Sequence, residues 1–121
     1  MAIHKILIVD DSPTERYYLS DILVRNGYSV STADNGEQAL AQIKLDKPEL
    51  ILMDVVMPGA NGFQVTRSIA RDPALAGVPI IICSSKNQEN DRIWGLRQGA
   101  RDYLVKPVDA AELLAKIAAL G

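Results

Sequence analysis

The chain has 121 residues, of which 48% are hydrophobic and 23% charged, and its formal net charge is −2. This length suits one domain, and the balance of apolar and charged residues is typical of a globular rather than a disordered protein. The slightly acidic charge argues against nucleic acid or an anionic membrane as the main partner. The sequence has no apolar run near the roughly 20 residues that span a bilayer, and no signal peptide. A single cysteine, Cys83, excludes an intramolecular disulfide. Together these features predict a cytoplasmic, single-domain protein over residues 1–121 with no membrane insertion.

Short apolar runs alternate with helical patterns along the whole chain. The predicted strands are Lys5–Val9, Ser29–Ala33, Leu50–Met53, Pro79–Cys83 and Asp102–Val105. Four of them are almost continuously apolar, which is typical of parallel strands covered by helices on both faces. The second strand instead alternates apolar and polar residues, which indicates an edge strand.

Helix start signals follow these strands. They are Ser12 with Pro13 and Glu15, Asn35 with Gln38, and Asp109 with Glu112. A third helix is predicted from near Gly62 to before Pro73. The fourth, around Asn87–Gln98, is polar, with Ile93 and Leu96 as its clearest core candidates. Five strand–helix units predict an α/β fold, a doubly wound five-stranded parallel sheet with helices on both faces.

Reactive side chains follow four of the five predicted strands. Asp10 and Asp11 end the first, Asp54 the third, Ser84 follows the fourth and Lys106 the fifth. In open α/β sheets the ligand site lies beyond the carboxyl ends of the strands. Three adjacent carboxylates repel one another unless a cation neutralises them, and Mg²⁺ prefers such oxygen ligands while leaving room for phosphate. An aspartate in that setting can attack phosphorus, with an ammonium and a hydroxyl stabilising the transferred group.

Each of these residues also has a purely structural interpretation. The aspartate pair could be an acidic helix cap, Asp54 a turn residue, Ser84 a helix cap and Lys106 a solvated loop lysine. Unrelated caps need not coincide at the ends of four strands, so their joint occurrence favours a phosphoryl site.

Longer motifs add a resemblance to a known family. They are Ile6-Leu7-Ile8-Val9-Asp10-Asp11-Ser12, Leu52-Met53-Asp54-Val55-Val56-Met57-Pro58-Gly59, Ile80-Ile81-Ile82-Cys83-Ser84-Ser85 and Gly99-Ala100-Arg101-Asp102-Tyr103-Leu104-Val105-Lys106-Pro107. With these motifs, the chain resembles a response-regulator receiver domain of the chemotaxis type over essentially its whole length. Further segments around Asn61-Gly62-Phe63-Gln64 and Trp94-Gly95 resemble the stand-alone regulators of type IV pilus twitching motility.

The resemblance implies a flavodoxin-like sheet in the order 2-1-3-4-5 and a sensor histidine kinase as phosphodonor. It implies that Asp54 is the phospho-acceptor and that Asp10, Asp11 and the main-chain carbonyl of Val56 complete the Mg²⁺ site. Lys106 would pair with a phosphoryl oxygen.

The same resemblance implies that Ser84 is the switch hydroxyl and Tyr103 the aromatic side chain that follows it. A downstream protein would bind the face of the fourth helix and fifth strand, or the domain would act as a phosphate sink. No output domain and no nucleic-acid partner are expected, and the only chemistry would be phosphorylation and dephosphorylation of the chain itself. The resemblance further implies that the positions of Val56 and Lys86 tune hydrolysis of the phosphoryl group. Because the apolar side chain of Val56 cannot orient an attacking water, slow-to-moderate self-dephosphorylation is expected.

Three other function classes stay open on the sequence alone. An aspartyl phosphatase or phosphotransferase usually needs a substrate-covering cap, for which the chain has no insertion. A flavin-binding electron carrier would have Ser, Thr and Gly, rather than Asp10-Asp11, after the first strand. A phosphate-independent interaction module would work without Asp54. Trp94 in the fourth helix could anchor a partner or cover the seam between helix and sheet.

Overall fold

Five strands alternate with five helices in a computed structural model that describes residues 2–57, 61–86 and 88–120. The strands are β1 (Lys5–Val9), β2 (Ser29–Ala33), β3 (Leu50–Met53), β4 (Ile80–Ser84) and β5 (Asp102–Val105). The helices are α1 (Pro13–Arg25), α2 (Gly36–Leu45), α3 (Gly62–Arg71), α4 (Glu89–Arg97) and α5 (Ala110–Leu120). Four predicted strands are confirmed to the residue, and β4 begins and ends one residue later than predicted. Among the described residues, no helix combines the length and apolar character that crossing a membrane requires.

All strand pairs are parallel, and the sheet order is β2-β1-β3-β4-β5. The predicted α/β fold, its sheet order and the edge position of β2 are therefore confirmed. The order reverses direction at β1, so β1 and β3 are neighbours although β2 separates them in sequence. The carboxyl ends of these two strands consequently flank the switch point at which open α/β sheets bind ligands.

Alternate residues of the central strands enter two separate cores. One face of the sheet packs under α1 and α5, and the other under α2 and α3. Ile6 and Ile8 of β1 join the first core, whereas Leu7 and Val9 join the second. This division follows from the two-residue period of a strand, and it explains why the strands are apolar throughout.

The helix caps explain where two of the helices begin. The side chain of Asn35 accepts a hydrogen bond from the Gln38 N–H at 2.8 Å, as the sequence predicted for α2. At α1, Ser12 accepts from the Glu15 N–H at 3.2 Å, but the Glu15 carboxylate does not close the expected capping box. The Ser12 N–H instead donates to Asp10 Oδ1 at 2.9 Å, so the predicted reciprocal bond is wrong and the start of α1 is tied to β1.

The predicted core side of α4 is wrong. Ile93 and Leu96 are 41% and 37% exposed, and Trp94 is 49% exposed. Gly95 is the buried residue of this helix, and a Cβ there would lie 2.8 Å from Ile82 Cδ1. The helix thus approaches the sheet through a glycine, which leaves its larger apolar side chains on the outside. The predicted start of α4 at Asn87 lies outside the described residues.

Candidate functional site

Two of the carboxylates are brought together by bonds that continue the strand ladder. The Asp54 N–H donates to the Val9 carbonyl at 2.9 Å, and the Asp10 N–H donates to the Ala33 carbonyl at 3.1 Å. These bonds hold both aspartates in line with their strands one residue past the last strand position. Asp10 and Asp54 are buried, with 1% and 6% of their surface exposed, whereas Asp11 is exposed.

Asp10, Asp11 and Asp54 place one carboxylate oxygen each within 4.8 Å of one another. Such a set of hard oxygen donors, with one member open to solvent, fits a divalent cation that keeps part of its water shell. The predicted convergence of these three residues is therefore present in the structure. The structure also places the predicted ammonium group at the same point.

Lys106 bridges the two buried carboxylates. Its Nζ donates to Asp10 Oδ2 at 2.9 Å and to Asp54 Oδ1 at 3.3 Å. Its main-chain N–H donates to the Ser84 carbonyl at 2.8 Å, and a cis peptide bond joins it to Pro107. Burial alone would lower the pKa of Lys106, but its hydrogen bond with Asp10 and the charges of Asp10 and Asp54 outweigh this and raise the pKa. The lysine is therefore held as a cation inside the site.

Asp54 is the carboxylate of this group whose charged form is clearly disfavoured by its surroundings. Burial, followed by the negative charge of Asp10, raises the pKa of Asp54 from 3.8 to about 6, although Lys106 opposes the change. The single positive charge of the lysine thus does not balance the negative charges of two buried carboxylates and of a third beside them. The site has an excess of negative charge that an added cation would relieve.

Ser84 and Tyr103 are linked through the main chain of Lys86. The Lys86 N–H donates to Ser84 Oγ at 3.1 Å, and Tyr103 Oη donates to the Lys86 carbonyl at 2.8 Å. Ser84 is fully buried and Tyr103 is 6% exposed. The ring of Tyr103 packs in a small cluster with Val55, the residue after Asp54. A continuous set of contacts therefore runs from the carboxylates to β5.

The loop after β3 packs closely against the start of α3. A Cβ on Gly62 would lie 2.0 Å from the Asp54 carbonyl oxygen and 2.6 Å from Val55 Cα, so only glycine fits there. The Val56 side chain is 56% exposed, and its main chain forms a hydrogen bond that lowers the pKa of Asp54. Pro58 and Gly59, part of the family motif, lie outside the described residues.

Sequence reasoning missed two contributors to the site. Lys86 contributes through its main-chain N–H and carbonyl. Almost every residue type has these groups, so the sequence carries no signal for them. Glu15 was assigned to a capping box, yet its Oε1 is buried and has no hydrogen-bond partner among the described residues. Its negative charge contributes to the raised pKa of Lys106. No spacing rule separates a capping glutamate from one whose carboxylate is buried instead.

Two other residues take no part in this site. His4 is exposed near the N-terminus. Cys83 is buried in β4, and burial raises the pKa of its thiol to about 12, so it packs as a small apolar side chain.

Comparison with known proteins agrees with this arrangement. Residues 6–118 match the family described as the response regulator receiver domain. The chain is 52% identical to Protein PilH of Pseudomonas aeruginosa over 116 residues, covering 96% of each protein. It is 40% identical to the response regulator PleD of Caulobacter vibrioides, but covers only 26% of that longer protein.

Solved structures show the same architecture. A putative response regulator from Chloroflexus aurantiacus superimposes with a TM-score of 0.92 at 34% identity, covering 97% of this chain and 98% of that one. The chemotaxis protein CheY4 of Vibrio cholerae superimposes with a TM-score of 0.89 at 32% identity, covering 96% and 97% of the two chains.

Proposed function

Because this chain belongs to the response regulator receiver family, we propose that it is a phosphorylation switch in which Asp54 accepts a phosphoryl group from a sensor histidine kinase. One observation carries the proposal. Lys106 Nζ bridges Asp10 and Asp54 inside a cluster of three carboxylates. This arrangement offers a nucleophile, a fixed positive charge and a cation site within one hydrogen-bonded unit.

Mg²⁺ is the proposed cation, held by Asp10, Asp11, Asp54 and the main-chain carbonyl of Val56. The excess of carboxylates over lysine supports this assignment, and the oxygen-only donor set suits Mg²⁺. When bound, the ion would neutralise the carboxylates and the charge of the incoming phosphoryl group.

The residues of the chain supply the remaining chemistry. An ionised Asp54 oxygen attacks the phosphorus, the phosphorus–nitrogen bond of the donor phosphohistidine breaks, and its electron pair returns to the imidazole. Lys106 already touches Asp54 Oδ1 and is placed to pair with a phosphoryl oxygen. The hydroxyl of Ser84 would donate to another phosphoryl oxygen while its oxygen still accepts from the Lys86 N–H, so drawing Ser84 towards the phosphate would move the Lys86 main chain with it.

That change at Ser84 provides the switch. Because Lys86 also holds Tyr103 Oη through its carbonyl, moving the Ser84 loop alters the support of the Tyr103 ring. Tyr103 borders a surface depression with Glu89 and Val105 on α4 and β5. We propose that a downstream protein binds this face of α4 and β5, or that the domain draws phosphate away from another regulator.

The proposed setting is the cytoplasm, in type IV pilus or chemotaxis-like motility control. The 52% identity to PilH and the resemblance to twitching-motility regulators support it. Neither nucleic acid nor a membrane is a proposed partner, and the proposed chemistry is confined to phosphorylation and dephosphorylation of the chain itself.

Intact-mass measurement with Mg²⁺ and a small acyl phosphate donor tests the proposal. One phosphoryl adduct is expected on the wild type and on Asp34→Asn, an exposed aspartate after β2, and none on Asp54→Asn. An adduct that persists in Asp54→Asn would contradict the assignment. Decay of the adduct within a few seconds in the presence of Mg²⁺ would contradict the slow-to-moderate dephosphorylation expected from Val56.

A further inference from the structure

The two flanks of α4 differ in charge. The depression on the β5 side is lined by Glu89 and Glu112 together with Arg92. On the other flank, between α3 and α4, lie two adjoining depressions of about 370 and 230 Å³ that share Arg67, Trp94 and Gln98. We call this second surface the arginine groove. None of the described residues that line the arginine groove is acidic.

Three arginines give the arginine groove its charge. Arg67 and Arg71 lie one turn apart on α3, and Arg97 lies in the last turn of α4. All three are exposed, and none forms an ion pair within the part of the chain that the structure describes. Like charges four residues apart on a helix repel, so Arg67 and Arg71 cost stability in the isolated domain. Elsewhere in this acidic chain, Arg25 and Arg92 have a carboxylate partner at helical spacing.

Trp94 adds an aromatic surface to the arginine groove. It is 49% exposed and lies outside the apolar clusters of the described core. Tryptophan and arginine are the residues that most often dominate the binding energy of protein interfaces. Here both types line the same depressions, so the exposed ring belongs to a charged surface rather than standing alone.

A close helix contact fixes the floor of the arginine groove. Gly99, two residues after the end of α4, has a φ of 113°, and a Cβ at this position would lie 2.5 Å from the Ala70 Cβ on α3. Gly95 allows α4 to approach the ring of Phe63, which lines the smaller depression. The three arginines and Trp94 therefore project from two helices held at a fixed separation, which reduces the ordering cost of binding.

We propose that the arginine groove is a second docking site, which binds an acidic segment of a partner protein carrying an apolar side chain that packs on Trp94. Charge complementarity selects this occupant, because three guanidinium groups that have no ion pair among the described residues favour several carboxylates on one chain. The open, shallow shape suits an extended or helical peptide better than an enclosed small molecule. This site is separate from the face of Tyr103 and β5, so two partners could be held at once.

Fluorescence anisotropy of a labelled peptide rich in glutamate and leucine tests the proposal on the unphosphorylated protein. Saturable binding is expected, weakening with added salt, and a peptide with lysine in place of glutamate is expected not to bind. Trp94 is the only tryptophan of the sequence, so its emission should change on binding to the wild type. Absence of saturable binding of the glutamate peptide would overturn the proposal.

Matched variants separate the arginine groove from general charge. The double variant Arg67→Glu with Arg97→Glu is expected to lower affinity at least about tenfold. Lys44→Glu with Lys47→Glu changes net charge equally at exposed positions outside the arginine groove, and is expected to stay within about threefold of wild type. Equal losses in both double variants would show a non-specific charge effect and overturn the assignment.

Two further measurements test the aromatic contact and the class of ligand. Trp94→Ala, which keeps all three arginines, is expected to lower peptide affinity about tenfold, and unchanged affinity would contradict the role of the ring. ATP and vesicles containing an anionic lipid are expected not to alter Trp94 emission. A response to either of them that displaces the peptide would identify a different ligand class and refute the acidic-segment proposal.

Discussion

Replacing Asp54 with asparagine is expected to stabilise the metal-free protein at neutral pH, although it removes the proposed acceptor. Burial and the charge of Asp10 raise the pKa of Asp54 from 3.8 to about 6. At about 1.4 kcal/mol per pH unit, that difference corresponds to about 3 kcal/mol of folding free energy lost when Asp54 is ionised. The asparagine oxygen would still accept from Lys106, but the bond would lose its charge assistance, worth about 1 kcal/mol, while Lys106 keeps Asp10. A net gain of about 2 kcal/mol remains.

The sign of the pH dependence follows from the raised pKa of Asp54. The folded state binds this proton more tightly than the unfolded state, so the favourable contribution is fully present below the unfolded pKa of 3.8. It is lost as the pH rises through the folded pKa of about 6 and stays absent at higher pH. The advantage of Asp54→Asn is therefore expected to be largest above about pH 7 and to vanish near pH 4.

Urea unfolding in the presence of a chelator, followed by circular dichroism at several pH values, measures this difference. Asp11→Asn makes the same chemical change at an exposed carboxylate of the same cluster and is expected to change stability by less than about 1 kcal/mol. If Asp54→Asn is no more stable than the wild type at pH 8, burial of an ionised Asp54 is not the dominant cost and the reasoning is refuted.

Three further outcomes are expected. Mg²⁺ should raise the unfolding midpoint of the wild type in a concentration-dependent way, as followed by thermal melts, and should do so less in the acceptor variant, because the added ion relieves the carboxylate repulsion. Gly62→Ala should cost about 2–3 kcal/mol in urea unfolding and slow phosphorylation, because its Cβ would lie 2.0 Å from the Asp54 carbonyl oxygen. Gly77→Ala, whose Cβ meets nothing within 4 Å, should be nearly neutral, and equal costs at the two glycines would contradict the packing argument. Tyr18→Phe should cost about 1 kcal/mol by removing a 2.6 Å hydrogen bond to the Val108 carbonyl, whereas Tyr17→Phe, at 75% exposure, should be neutral in the same unfolding assay.

The order of elements and the ends of the strands are largely readable from local sequence. Four of the strands are almost continuously apolar, so their carboxyl ends are easily recognised, and Asp10, Asp54 and Lys106 each follow such an end. Parallel strands then require their carboxyl ends to lie at one edge of the sheet. The convergence of these residues is therefore a consequence of topology, and it could be predicted without any contact being known.

The surface of α4 could not be predicted in this way. Its apolar residues Ile93 and Leu96 have the spacing of a core-facing stripe, yet both are exposed because the helix meets the sheet through Gly95. A glycine adds no apolar side chain to a sequence pattern. How closely it lets the helix approach the sheet depends on the ring and side chain that face it in the fold. The arginine groove likewise could not be predicted from the sequence, because Arg67 and Arg97 belong to different helices and only the fold brings them together.

The amino-acid sequence by itself determined the α/β fold, the placement of Asp10, Asp11, Asp54 and Lys106 at one edge of the sheet, and the kind of chemistry that such residue types suit. Only the tertiary structure decided the burial of the Glu15 carboxylate, the link from Ser84 through the Lys86 main chain to Tyr103, and the raised pKa of Asp54. The physical reason is the same in each case. Residue type and spacing determine local structure, whereas burial, backbone hydrogen bonds and charge repulsion depend on groups that are distant in the chain and adjacent in the fold.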